Sequence, residues 1–149
     1  MTEKPKGALT VEADELCTFA GSKENKQWVW LAEDRNTREI IGCHVGARDR
    51  ESAQSLWKTI PPVYRQCAVF FTDFWISYEG VIPAKRHKAV GKETGLTNHI
   101  ERFNNTLRQR IGYLVRKTLS FAKKLENLIG VIFYFIQHYN RIIMSKLAT

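Results

Sequence analysis

The sequence has only three cysteines, Cys17, Cys43 and Cys67, far apart and with no Cys-x-x-Cys among them. That spacing argues against a zinc site, and the odd count argues against a disulfide framework. A reducing cytoplasm is the expected setting, with the three thiols as small, partly buried side chains. Long apolar runs are missing as well. The tract Leu128–Ile136 is broken by Gly130 and is too short to cross a bilayer, so no membrane association is expected. The opening Met-Thr-Glu-Lys-Pro-Lys has no apolar segment behind it, so no signal peptide is expected. There is no internal repeat, low-complexity tract or domain linker. Residues 1–8 are expected to be a flexible lead-in and residues 9–149 one domain.

Acid is also scarce. Fifteen Asp and Glu face 23 Lys and Arg, for a net charge of +8. Such a balance favours a polyanionic partner, with DNA the first candidate. The excess is concentrated late in the chain. Between Asn98 and Leu125, Glu101 is the single acid among Arg102, Arg108, Arg110, Arg116, Lys117, Lys123 and Lys124. With 44% hydrophobic and 26% charged residues, the chain is nonetheless a folded globular protein and not a disordered basic tail.

The pattern of what is present predicts an α/β fold. Leu9–Phe19 alternates, with Leu9, Val11, Ala13, Cys17 and Phe19 on one parity and Glu12 and Asp14 on the other; Glu15 breaks the apolar parity. Trp28–Ala32 and Ile40–Val45 read as two more strands, and the short turns between the three predict an antiparallel meander. Asp49 is placed to cap a helix carrying Ala53, Leu56, Trp57 and Ile60, which Pro61-Pro62 ends. Cys67–Phe71 reads as a buried strand after a helix, hence parallel to a neighbour. A short helix is expected around Trp75–Gly80, an edge strand over Lys85–Val90 and a loop over Gly91–Thr97. A helix then opens at Asn98 with Ile100, Phe103, Leu107 and Ile111 as its buried stripe. A last helix, about Ser120–Met144, presents a wide apolar face from Leu125 to Ile143 that covers the sheet or pairs with a second copy.

Three carboxylates stand out. Asp73 ends the buried strand, where open parallel sheets place their function. Asp14 lies on the polar parity of the first strand and would neighbour Asp73 if the first and fourth strands were adjacent. Glu101 sits at the start of a later helix, on one flank with Asn105 and Arg108. Three hard oxygen ligands beside a basic surface suit Mg²⁺ or Mn²⁺ with a phosphate substrate. Each also has a plainer reading. Asp14 fits a solvated strand residue and Asp73 a helix cap. Asn98-x-x-Glu101 fits a capping box. His99 fits a cap or a surface residue, and Trp28, Trp30, Trp57 and Trp75 fit core packing.

The blocks Asp14-Glu15-Leu16, Phe71-Thr72-Asp73-Phe74-Trp75-Ile76-Ser77-Tyr78, Asn98 to Arg108 and Leu114 to Phe121 resemble the transposases of the bacterial insertion sequence 1 family, over about Thr10 to Ile142. The resemblance implies a ribonuclease H-like fold, with a mixed five-stranded sheet and flanking helices. It also implies an Asp-Asp-Glu triad on Asp14, Asp73 and Glu101, two Mg²⁺ or Mn²⁺ ions, and DNA cleavage followed by strand transfer. Arg102, Asn105, Arg108, Arg116 and Lys117 are then the candidates for phosphate contacts. Cys17 stands where members often carry Trp. The family's amino-terminal zinc-binding and helix-turn-helix segments are expected to be absent, supplied by an upstream reading frame as partner or fusion, and two copies are expected to meet on the element ends. A non-catalytic DNA-binding or regulatory fragment is the alternative function, and a junction-resolving nuclease a third.

Overall fold

The computed structural model describes residues 9–19, 24–73, 76–117 and 125–147, with the backbone alone for 76, 92, 111–117, 125 and 147. Five strands form one sheet in the order β3-β2-β1-β4-β5. The first three, β1 (Thr10–Phe19), β2 (Lys26–Asp34) and β3 (Ile40–Gly46), make the antiparallel meander. The short strands β4 (Val69–Thr72) and β5 (His87–Ala89) add in parallel, β4 directly beside β1. The sheet is therefore mixed and ribonuclease H-like, as the sequence led one to expect.

Helices cover both faces. On one, α1 (Arg50–Thr59) and α2 (Pro62–Cys67) pack on Val11, Ala13, Trp30, Ala32 and Phe70. Asp49 caps α1 by accepting a hydrogen bond from Ser52 N–H. Gly42 lies under this helix. A Cβ there would meet Ile60 Cγ1 at 2.8 Å, so the strand needs glycine for close approach. Pro61-Pro62 follows the end of α1, as expected, but Pro62 also opens a helix that the sequence pattern does not show, because its missing N–H is unneeded in a first turn.

On the other face, α3 (Asn98–Lys117) and α4 (Leu125–Leu147) enclose a second core. Ile100, Phe103 and Leu107 meet Leu128, Ile132 and Ile136 over Leu16, Val29 and Leu31. That face of α4 covers the sheet, as expected, but Phe133 is exposed at 42% and lies outside it. Asn140 fastens α4 to the sheet margin. Its amide donates to the Ile40 carbonyl at 2.9 Å and its Oδ1 accepts from Ile40 N–H at 2.8 Å.

Both faces of β1 are thus covered, so its polar parity is not solvated. Glu12 is 0% exposed. Its Oε1 accepts from His99 N–H and Ile100 N–H, at 3.0 and 3.3 Å, and its Oε2 pairs with Arg35 at 3.1 Å. A strand carboxylate supplies the cap that the first turn of α3 needs. The alternative reading of Asn98-x-x-Glu101 as a capping box is not what forms. Glu101 accepts instead from the Thr97 hydroxyl at 3.2 Å. The expected helix near Trp75 is a 3-10 turn at Ile76–Tyr78, and Trp75 lies outside the described residues, as do the lead-in 1–8 and residues 118–124.

Candidate functional site

Parallel pairing of β1 and β4 aligns Glu12 with Phe71. Carried two residues further, that register sets Asp14 beside Asp73. Oxygens of Asp14, Asp73 and Glu15 lie within 4.8 Å of one another. They open into a cleft of about 300 Å³ whose far wall is α3, with Glu101, Asn104, Asn105 and Arg108, and whose rim includes Arg48 and Thr97. The structure therefore brings Asp14 and Asp73 together and sets Glu101 across the same cleft.

Glu15, which reads in sequence as a flaw in the alternation, belongs to this cluster. Its carboxylate is already engaged. Arg48 grips Oε1 through Nε and Nη2 at 3.2 and 3.0 Å, and the Tyr78 hydroxyl donates to Oε2 at 2.6 Å. Arg48 in turn lies over the Trp28 ring at 4.6 Å. Trp30 donates its indole N–H to Ala47 O at 2.9 Å, fixing the backbone just before Arg48. Glu15 is thus engaged within the protein, while Glu101 stands outside the 4.8 Å cluster, across the cleft.

Burial is the largest reason that the Asp14 carboxyl is raised to about 7, and the neighbouring charges of Glu15, Asp73 and Glu101 add to it. Glu15 is raised chiefly by burial, against the pull of Tyr78 and Arg48. Asn104 donates to Asp14 Oδ2 at 3.1 Å, while its own Oδ1 is buried with no hydrogen-bond partner. Crowded carboxylates, a carboxyl held near neutral and an orphaned amide oxygen together form an environment short of positive charge. Hard-oxygen donors of this kind fit Mg²⁺ or Mn²⁺.

The basic candidates separate. Asn105 and Arg108 line the carboxylate cleft. Arg102 lines a second cavity on the other flank of α3. Arg116 and Lys117 fall in the last turn of α3, where their side chains lie outside the described residues. His99 lends its backbone N–H to Glu12, Trp30 is fully buried, and Trp28 and Trp57 pack partly buried against the same core. Glu15, Arg48 and Asn104 were missed. For Glu15 the signal was available, as an acid at a buried strand position; Arg48 and Asn104 give no local cue.

The raised carboxyls carry a pH prediction. Asp14 rises from 3.8 to about 7, and Glu33 on β2 from 4.5 to about 8, through burial and then the charge of Glu12. Both hold their protons more tightly folded than unfolded. Stability contributed this way is complete at acid pH and is lost as pH rises towards the folded values. Without metal, the melting temperature is expected to fall between pH 5 and 8. Mg²⁺ at pH 8 should recover the Asp14 share only, since Glu33 is not in the cleft. Thermal melts across that range check this, and a flat or rising metal-free profile would contradict it.

Among the described residues, no helix is long and apolar enough to cross a membrane. The family model described as IS1 transposase matches residues 8–141. The insertion element iso-IS1n protein InsB of Shigella dysenteriae is 35% identical over 132 residues, covering 89% of this chain and 97% of that one. The insertion element IS1 protein InsB of Shigella flexneri is 33% identical over 133 residues, covering 88% and 98%. The insertion element IS1 4 protein InsB of Escherichia coli (strain K12) is 32% identical, over 88% of this chain and 77% of that one.

Proposed function

The chain belongs to the IS1 transposase family, and on that premise we propose that it is a DNA strand transferase whose Asp14, Asp73 and Glu101 hold two Mg²⁺ or Mn²⁺ ions. The observation that carries this reading is the register of β1 against β4, which sets two carboxylates side by side at the floor of a cleft walled by Glu101. Bound there, the ions would polarise a phosphodiester together with its attacking and leaving oxygens, the attacker being water in cleavage and a 3′-hydroxyl in transfer.

The chain's own groups do the rest. Asn104 orients Asp14 by donating to its Oδ2. Arg108 and Asn105 meet the DNA backbone from α3, positioning it without reading sequence. Arg48, clamped by Glu15 and Trp28, sets a rigid positive charge at the opposite rim. Burial of the floor favours exchange of carboxyl protons for metal near neutral pH.

The test is cleavage and strand transfer on labelled element-end DNA with Mg²⁺, Mn²⁺ or no metal, comparing wild type with Glu101→Gln. Metal-dependent products that vanish in the variant are expected. Salt-sensitive DNA binding that survives Glu101→Gln, with no products under either metal, would replace this reading with that of a non-catalytic DNA-binding fragment.

A further inference from the structure

The second cavity, about 260 Å³, lies on the flank of α3 that faces away from the carboxylate cleft. Glu33 from β2, Arg38 from the β2–β3 turn, His99, Arg102 and Phe103 from α3 and Tyr139 from α4 line it. Two buried polar atoms in this lining have no hydrogen-bond partner, Glu33 Oε2 and Arg38 Nη1. Glu33 is 1% exposed. Buried acceptors and donors are nearly always satisfied, so the pair marks a place built for an occupant with both kinds of group.

Two further features point the same way. Glu33 lies directly opposite Glu12 across the β1–β2 ladder. Two carboxyls buried face to face cost stability in a sheet, and an apolar residue at this position would avoid the cost. Arg38 sits at φ 70°, in the left-handed region. Asp34 closes that turn by accepting from Asn36 N–H and Thr37 N–H through Oδ1. A non-glycine residue held there stores strain of the kind found at ligand sites.

The chemistry narrows the occupant. A free phosphate would face the buried Glu33 acid. A metal ion would find one carboxylate among Arg38, Arg102 and His99. What fits is flat, uncharged in its ring, and both donor and acceptor along one edge. The rings of Phe103 and Tyr139, 4.7 Å apart in edge-on contact, form the apolar wall. The volume lies just below the ~300–1,000 Å³ of drug-sized ligand pockets and suits a single ring system. Arg102, exposed at the rim, is placed for the attached phosphate.

We infer that this cavity takes one unpaired nucleobase bearing an exocyclic amino group. The amino group donates to Glu33, a ring nitrogen or carbonyl accepts from Arg38, and the ring lies against the aromatic wall. The inference rests on the reading of the chain as acting on DNA. It deepens that reading by giving α3 two tasks. Glu101, Asn105 and Arg108 serve the phosphodiester on one flank, and His99, Arg102 and Phe103 hold a base on the other.

The test is calorimetric titration of the whole protein, in EDTA, with dAMP, dCMP, dGMP, dTMP and inorganic phosphate. Binding of the amino-bearing nucleotides is expected, with dTMP and phosphate at least ~10-fold weaker. Glu33→Leu should abolish binding while keeping or raising the melting temperature, and Glu101→Gln should leave it unchanged. Equal binding of dTMP, equal binding of phosphate, no binding below about 10 mM, or binding that survives Glu33→Leu would each overturn the inference. Strand transfer by the same wild-type preparation decides the catalytic reading separately.

Discussion

Asp14→Asn is expected to lower strand transfer by at least about a hundredfold, roughly 2.7 kcal/mol in barrier, and at the same time to raise the melting temperature at pH 8. The two effects share one cause. Burial first, and then the charges of Glu15, Asp73 and Glu101, hold the Asp14 carboxyl near 7. At pH 8 the folded protein must therefore carry a charge that the unfolded chain carries more cheaply. Asparagine keeps the shape and one of the two acceptor oxygens, which receive Glu15 N–H and the Asn104 amide, and it removes the charge. The gain should fade at pH 5, where Asp14 is already protonated in the folded state. Paired assays of transfer and thermal melting at both pH values check this. A variant that loses activity and stability together would show Asp14 to be structural.

Glu12→Ala is expected to give the largest loss of stability. It strips two N–H groups in the first turn of α3 of their acceptor and leaves Arg35 beside an apolar gap. Removing one partner of a largely buried pair costs about 3 kcal/mol, with Arg35 partly solvated. For a chain of this size that is a fall of about 6–12 °C. Glu12→Gln should lose less than half as much, because an amide oxygen still accepts from His99 and Ile100. A fall below about 2 °C in Glu12→Ala would mean that water caps the helix equally well. Because α3 carries Glu101, the Ala variant should also lose transfer activity at temperatures below its melting point.

What the sequence disclosed follows from how local its signals are. The meander, the Asp49 cap and the helix at Asn98 rest on alternation, capping chemistry and helical spacing, and all three stand in the structure. That β1 lies beside β4 was only a condition in the sequence, because adjacency of distant strands leaves no local signal. Helix α2 escaped because six residues are too few to show a period. Glu12 was assigned to a polar face because its partners, His99, Ile100 and Arg35, are far away in sequence. The Asn98–Glu101 box was a sound local pattern displaced by that distant carboxylate. Glu33 and Arg38 gave no sign of a cavity, since an orphaned atom exists only once the chain around it is folded.

The bond between Asn140 and Ile40 spans 100 residues of chain. Synthesis runs from the amino end, so Asp14, Asp73 and Glu101 all leave the ribosome before the helix that bears Asn140. Until α4 arrives, the buried stripe of α3 lacks Leu128, Ile132 and Ile136 to pack on, and only Glu12 and the sheet residues Leu16, Val29 and Leu31 hold it in place. A nascent chain accordingly carries α3 with one side of its apolar stripe uncovered. Completion of the last helix is therefore the step that closes the second core around α3.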